Sequence, residues 1–87
     1  MRYIIKVKGR VQGVGFRYST VNAAKRNNIS GIVKNLPNGS VYIEAEGELS
    51  NINEFISWCK TGNRFASVTD VEISEEDRSG HIGFKIV

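Results

Sequence analysis

The 87-residue sequence holds only one cysteine, one proline, one histidine and one tryptophan. The lone Cys59 forms no internal disulfide and no multi-cysteine metal site, and small secreted domains ordinarily depend on such staples. His81 has no partner nearby in sequence and reads as a surface residue. No stretch approaches the roughly 18 apolar residues of a membrane span. At the N-terminus, Met1-Arg2-Tyr3-Ile4-Ile5-Lys6 has its apolar run broken by charge after three residues, so no signal peptide is visible. The expectation is a cytoplasmic protein with no membrane partner. The triplets Asn28-Ile29-Ser30 and Asn38-Gly39-Ser40 then read as turn chemistry rather than sugar sites.

What is present fits one globular domain over residues 1–87. Hydrophobic residues make up 40% and charged residues 24%, which excludes a disordered tail or a low-complexity chain. Twelve Lys and Arg against nine Asp and Glu leave a net charge of +3, a faint hint of an anionic partner. The charge is uneven. Arg2, Lys6, Lys8, Arg10 and Arg17 precede any acid, whereas Glu72 to Asp77 carries four acids. Solvated strand faces are the simplest reading of both runs.

Hydrophobic periodicity orders the chain. Residues 2–9 alternate, with Tyr3, Ile5 and Val7 on one face, and predict a strand. A helix is expected over Phe16–Asn28, with Tyr18, Val21 and Ala24 recurring every three residues and Asn27-Asn28 ending it. Gly31–Leu36 predicts a second strand, and Pro37-Asn38-Gly39 a turn. In a third strand, Val41, Ile43 and Ala45 face inward. Ser50 is the expected N-cap of a second helix running to about Lys60. Its stripe of Ile52, Phe55, Ile56 and Cys59 makes Cys59 a buried filler, with Trp58 as partial cover. Gly62 is the expected C-terminal cap. Val68, Val71 and Ile73 mark a fourth strand, Glu75–Gly80 a loop, and Ile82, Phe84 and Ile86 a short terminal strand. The order β-α-β-β-α-β with a short extra C-terminal strand predicts an α+β, ferredoxin-like α/β sandwich. Two helices would cover one face of a mostly antiparallel sheet.

The chemistry should lie at Gly9-Arg10-Val11-Gln12-Gly13-Val14-Gly15-Phe16-Arg17. A strand ends, three glycines fall within seven residues, and a helix begins. Helix starts carry unpaired N–H groups and partial positive charge, so such a loop can wrap a phosphate. Arg17, at the helix start, could grip the same anion with two parallel hydrogen bonds. Neither G-x-x-x-x-G-K-[ST] nor G-x-G-x-x-G fits the loop.

The segment resembles a known pattern more specifically. It carries the V-Q-G-V-x-F-R string of the acylphosphatase family, and Gly31-Ile32-Val33-Lys34-Asn35-Leu36-Pro37-Asn38-Gly39 matches that family's G-x-V-x-N-x-x-[DN]-G block. The resemblance covers essentially the whole chain. It implies hydrolysis of the mixed anhydride of a carboxylic acid and phosphate, without a cofactor or metal. Backbone amides of Gln12, Gly13, Val14, Gly15, Phe16 and Arg17 would bind the phosphate together with the Arg17 side chain, and Asn35 would orient the attacking water. Inorganic phosphate or other anions would occupy the same loop. The Gln12 side chain is expected to be idle and Thr20 to be structural, bonding back to its own helix.

That chemistry is physically sensible. A carboxylate leaving group departs without a general acid, and displacement at phosphorus needs mainly positioning and charge stabilisation. Asn is a poor base, so a phosphate oxygen of the substrate would take the water's proton. The chain departs from the family pattern at Asn28, where Gly often ends the first helix. It also has Ile32 where Trp is frequent, and Gly62-Asn63-Arg64-Phe65 lacks a common Pro. None of these touches Arg17 or Asn35; they bear on local packing.

Two other classes compete. One is a non-catalytic module binding acyl or carbamoyl phosphate inside a larger protein. The other is an RNA-binding domain of the same topology, which would need aromatics on its sheet face; only Tyr42 is obvious there. A monomer without a nucleic-acid partner is expected.

Overall fold

The computed structural model describes residues 1–87. Its elements are β1 (Arg2–Arg10), α1 (Phe16–Arg26), β2 (Ser30–Asn35), β3 (Val41–Glu46), α2 (Leu49–Thr61), β4 (Ser67–Glu76) and β5 (Phe84–Ile86). The sheet order is β4-β1-β3-β2-β5. All pairings are antiparallel except β2 with β5. This is the expected ferredoxin-like sandwich with its extra strand.

Alternation builds the core as expected. Ile5 and Val7 of β1 stand level with Ile43 and Val41 of β3, and Val33 of β2 also stands level with Ile43. These side chains are buried with Ala23 and Ala24 of α1 and Ile52, Phe55 and Cys59 of α2 in one cluster. Phe55 stacks on Trp58 at 6.4 Å between ring centroids and meets Phe84 edge-on at 5.9 Å. Burial pushes the Cys59 thiol up to about 12, so it is an inert filler.

Element ends differ from the sequence expectation at several points. Helix α1 stops at Arg26; Asn28 follows at φ 53°, the left-handed geometry expected of it. Its buried face is Phe16, Thr20, Ala23 and Ala24, while Tyr18 is 75% exposed. The spacing-three stripe placed Tyr18 inside because it slid around the helix: the true face follows 16, 20, 23, 24, a mix of four and three. Strand β2 spans Ser30–Asn35 rather than 31–36. Helix α2 begins at Leu49, so Ser50 is not its cap; Glu48 holds that place without a side-chain bond. Gly62 does end α2, at φ 68°. Strand β4 runs through Glu76, into the expected loop. Ile73, on this edge strand, is 41% exposed, and Ile82 is 89% exposed and outside β5.

The two uneven charge runs meet in part. Strand β4 lies against β1, with Lys6 opposite Glu72 and Lys8 opposite Asp70. Lys8 Nζ donates to Glu72 at 2.7 Å.

The segment between β4 and β5 joins opposite edges of the sheet, and it is tied to the face away from the helices. Glu46 accepts from Ser79 N (2.7 Å), Ser79 Oγ (2.9 Å), Gly80 N (3.1 Å) and His81 N (3.1 Å). His81 is therefore not a lone surface residue: its Nε2 lies 2.8 Å from Glu44 Oε1. Glu44 also accepts from Arg2 at 3.0 Å and the Tyr42 hydroxyl at 2.7 Å. This strap sets β5 beside β2.

Burial alone would raise the Glu44 carboxyl, but bonds from His81, Tyr42 and Arg2 win and hold it at about 2, against an ordinary 4.5. The folded state therefore gains from Glu44 at pH 4.5 and above and loses that gain as the pH falls toward 2. Unfolding in urea at pH 7 and at pH 2.5 is expected to show a smaller stability loss in Glu44→Gln than in the parent. The difference should be about 1–2 kcal/mol after solvent screening. Equal acid sensitivity of the two proteins would show that Glu44 does not fasten the strap.

Candidate active site

The topology brings two strand ends together. Strands β1 and β2 each pair antiparallel with β3, so they run parallel to one another. Val7 of β1 and Asn35 of β2 both stand level with Val41. The loop after β1 and the last residue of β2 therefore emerge at the same end of the sheet.

The loop is pinned at both ends and open between. Val11 and Phe16 are buried, and the Phe16 ring lies 5.4 Å from Trp58. Gly13 and Gly15 both sit at φ 75°, where a side chain would be strained. Gly15 is the N-cap of α1, so no side chain closes the helix, and its first turn carries no acid. None of the N–H groups from Gln12 to Tyr18 donates to a backbone carbonyl or a side chain. The positive end of the helix dipole is left uncompensated there.

Five of the residues that carry these free N–H groups, Gly13, Gly15, Phe16, Arg17 and Tyr18, line a cavity of about 310 Å³ together with Val11, Asn35 and Ile86. The Arg17 side chain is exposed and has no ion pair or hydrogen bond. Asn35 belongs to the same lining, and its Oδ1 is buried and without a partner, the only such side-chain atom in the molecule. A buried acceptor left empty costs about 1–3 kcal/mol, so something should donate to it. The cavity thus combines unpaired donors, a free guanidinium and one unpaired acceptor.

Five of the expected site residues, Gly13, Gly15, Phe16, Arg17 and Asn35, line the cavity. Gln12 and Val14 are absent from its lining. The Gln12 side chain is not idle. Its Nε2 donates to Leu36 O at 2.8 Å and Ser40 O at 2.9 Å, clamping the loop to the β2–β3 turn just beyond Asn35. A spacing argument cannot see that bond, because its partners are backbone carbonyls 24 and 28 residues away. Thr20 is structural, its hydroxyl donating to Phe16 O at 2.8 Å. Tyr18 and Ile86, missed as site residues, form an exposed apolar rim; the sequence put Tyr18 on the apolar stripe of the helix and Ile86 only in the terminal strand. No three His, Cys, Asp or Glu side chains gather where they could ligate a metal ion.

Comparison with known proteins bears on this geometry. The family profile described as acylphosphatase matches residues 3–86. An acylphosphatase of Clostridium acetobutylicum is 51% identical over 70 residues, covering 80% of this chain and 77% of that protein. The crystal structure of an acylphosphatase from Bacillus subtilis superposes with a TM-score of 0.95 at 41% identity, covering 99% of this chain and 97% of the other. Full-length HypF, solved in a phosphate- and nucleotide-bound form, matches at a TM-score of 0.89 and 34% identity. That match takes 99% of this chain but 11% of HypF.

Proposed function

This chain belongs to the acylphosphatase family and hydrolyses acyl phosphates, and from that premise we propose how its residues divide the reaction. The substrate's phosphate sits in the cradle of residues 12–17, met by backbone N–H groups and by the Arg17 guanidinium. Asn35 Oδ1 accepts one hydrogen of the attacking water and turns its lone pair toward phosphorus. The observation that carries this reading is that residues with free N–H groups, the unpaired Arg17 and an asparagine whose Oδ1 lacks a donor line one cavity.

The step follows from those roles. The water oxygen bonds to phosphorus as the bond to the acyl oxygen breaks. The electron pair leaves with a carboxylate of pKa about 4, which needs no proton at neutral pH. The water's proton passes to a phosphate oxygen, since a carboxamide is too weak a base to hold it. Negative charge spread over the phosphoryl oxygens meets donors already in place. No step calls for a metal ion. The free, buried thiol of Cys59 suits a reducing cytoplasm.

Hydrolysis of benzoyl phosphate with EDTA present tests the reading. Undiminished turnover, inhibited competitively by inorganic phosphate, is expected. Binding without turnover would favour a non-catalytic module that holds acyl or carbamoyl phosphate. The RNA-binding alternative is not favoured: the sheet face carries the Glu44–Glu46 strap, and the Tyr42 hydroxyl is engaged with Glu44.

The acyl group then extends over Tyr18 and Ile86. Tyr18→Ala is expected to raise KM for benzoyl phosphate about fivefold, the loss of roughly 1 kcal/mol of apolar contact, and to leave acetyl phosphate within about twofold. Equal effects on both substrates would remove Tyr18 from the acyl side.

A further inference from the structure

We infer that Asn63, on the loop between α2 and β4, is a positioning residue for the phosphate cradle, aiming the Gly15 N–H into the cavity. Both of its side-chain N–H groups and its carbonyl oxygen have partners. Nδ2 donates to Val14 O at 2.9 Å and to Ser19 Oγ at 3.0 Å, and Oδ1 accepts from Phe65 N at 3.0 Å. The amide orientation follows from these partners, because the Val14 carbonyl can only accept.

The consequence lies in the next bond of the chain. In a trans peptide the carbonyl and the following N–H point in opposite directions, and this chain has no cis peptide. The unit joining Val14 to Gly15 has Asn63 on its carbonyl side. Asn63 is not part of the cavity wall, whereas Gly15 is. Fastening the carbonyl to Asn63 turns the Gly15 N–H the other way, toward the anion. Gly15 sits at φ 75°, a conformation glycine enters and leaves freely, so the peptide would otherwise rotate at little cost. Rotation would replace a donor with a carbonyl oxygen facing the phosphate. The Ser19 bond ties the same amide to the first turn of α1, which keeps loop and helix start in register.

This inference rests on the loop being the phosphate site, and the test separates the two. Inorganic phosphate is titrated into ¹⁵N-labelled protein, and its dissociation constant and the Gly15 amide shift are followed. Kinetics with benzoyl phosphate are run alongside, well below the unfolding temperature. In the parent, phosphate should move the Gly15 amide downfield; if no loop amide responds, the phosphate site itself is misassigned. Asn63→Ala and the closer-fitting Asn63→Leu are each expected to weaken phosphate binding about tenfold, to lower kcat/KM by at least as much, and to lose most of the Gly15 shift. Ser19→Ala, which leaves the Val14 bond intact, should cost less than threefold. A purely structural Asn63 would lower the melting temperature only. If both folded Asn63 variants keep the parent's phosphate affinity and Gly15 shift, the inference is overturned.

Discussion

Arg17→Gln is expected to lose on the order of 10³-fold in kcat/KM for benzoyl phosphate while melting at the parent's temperature. The unchanged melting point follows because the Arg17 side chain is exposed and bonded to nothing in the protein. Arg17 is also the only charged residue in the cavity lining, and no acid offsets it. Gln keeps a polar group but is shorter, and it loses the charge and the planar fork that meets two phosphoryl oxygens at once. The constant for inhibition by inorganic phosphate should rise along with KM, since the ground-state phosphate uses the same fork. Arg17→Lys separates charge from geometry, and should recover part of the loss and not all of it. Steady-state kinetics with a thermal melt decide the matter: retention of activity within tenfold in a folded Arg17→Gln protein would take the guanidinium out of the reaction.

Asn35→Ala should show the opposite division between binding and turnover. Its expected loss is about 10²–10³-fold in kcat, the magnitude associated with one preorganised polar group. Phosphate inhibition should stay within about twofold, because Asn35 is assigned to the water and not to the anion. Stability gives an independent readout. Asn35 Oδ1 is buried without a donor, so truncation removes an orphaned polar atom and should leave stability unchanged or raise it by about 1 kcal/mol. A more stable but nearly inactive protein is what a water-holding residue predicts. A large stability loss would make Asn35 a structural turn residue. A tenfold loss of phosphate affinity would make it an anion ligand.

Sequence periodicity carried most of the fold because the strands alternate cleanly. Val41, Ile43 and Ala45 face the core as the pattern required, and the α2 stripe of Ile52, Phe55 and Cys59 is fully buried. Helix α1 was harder to read, since Thr20 occupies a core position by bonding back to Phe16, whereas the large Tyr18 stands in solvent at the cavity rim. Hydropathy cannot distinguish a tyrosine that covers a core from one that borders a ligand.

The loop between strand and helix was legible from its glycines, and Asn35 from the second block. Their meeting was not a matter of spacing. It comes from two parallel strand ends held level by β3. The supports of the site were the least visible. Gln12, Asn63 and Glu44 act through backbone carbonyls or partners 24 to 49 residues away, and such bonds leave no periodic trace. His81 shows the same gap: alone in sequence, it closes on Glu44 only once the strap has crossed the sheet.

Hydrolysis in ¹⁸O-labelled water, with both products analysed by mass, probes the core of this account most directly. A water aimed by Asn35 at a phosphorus held by the loop and Arg17 must leave its oxygen in inorganic phosphate, and the account expects the label there and not in the carboxylate. Label in the carboxylate would mean attack at the acyl carbon, with the phosphate as leaving group, and the assigned division of labour among loop, arginine and asparagine would be wrong.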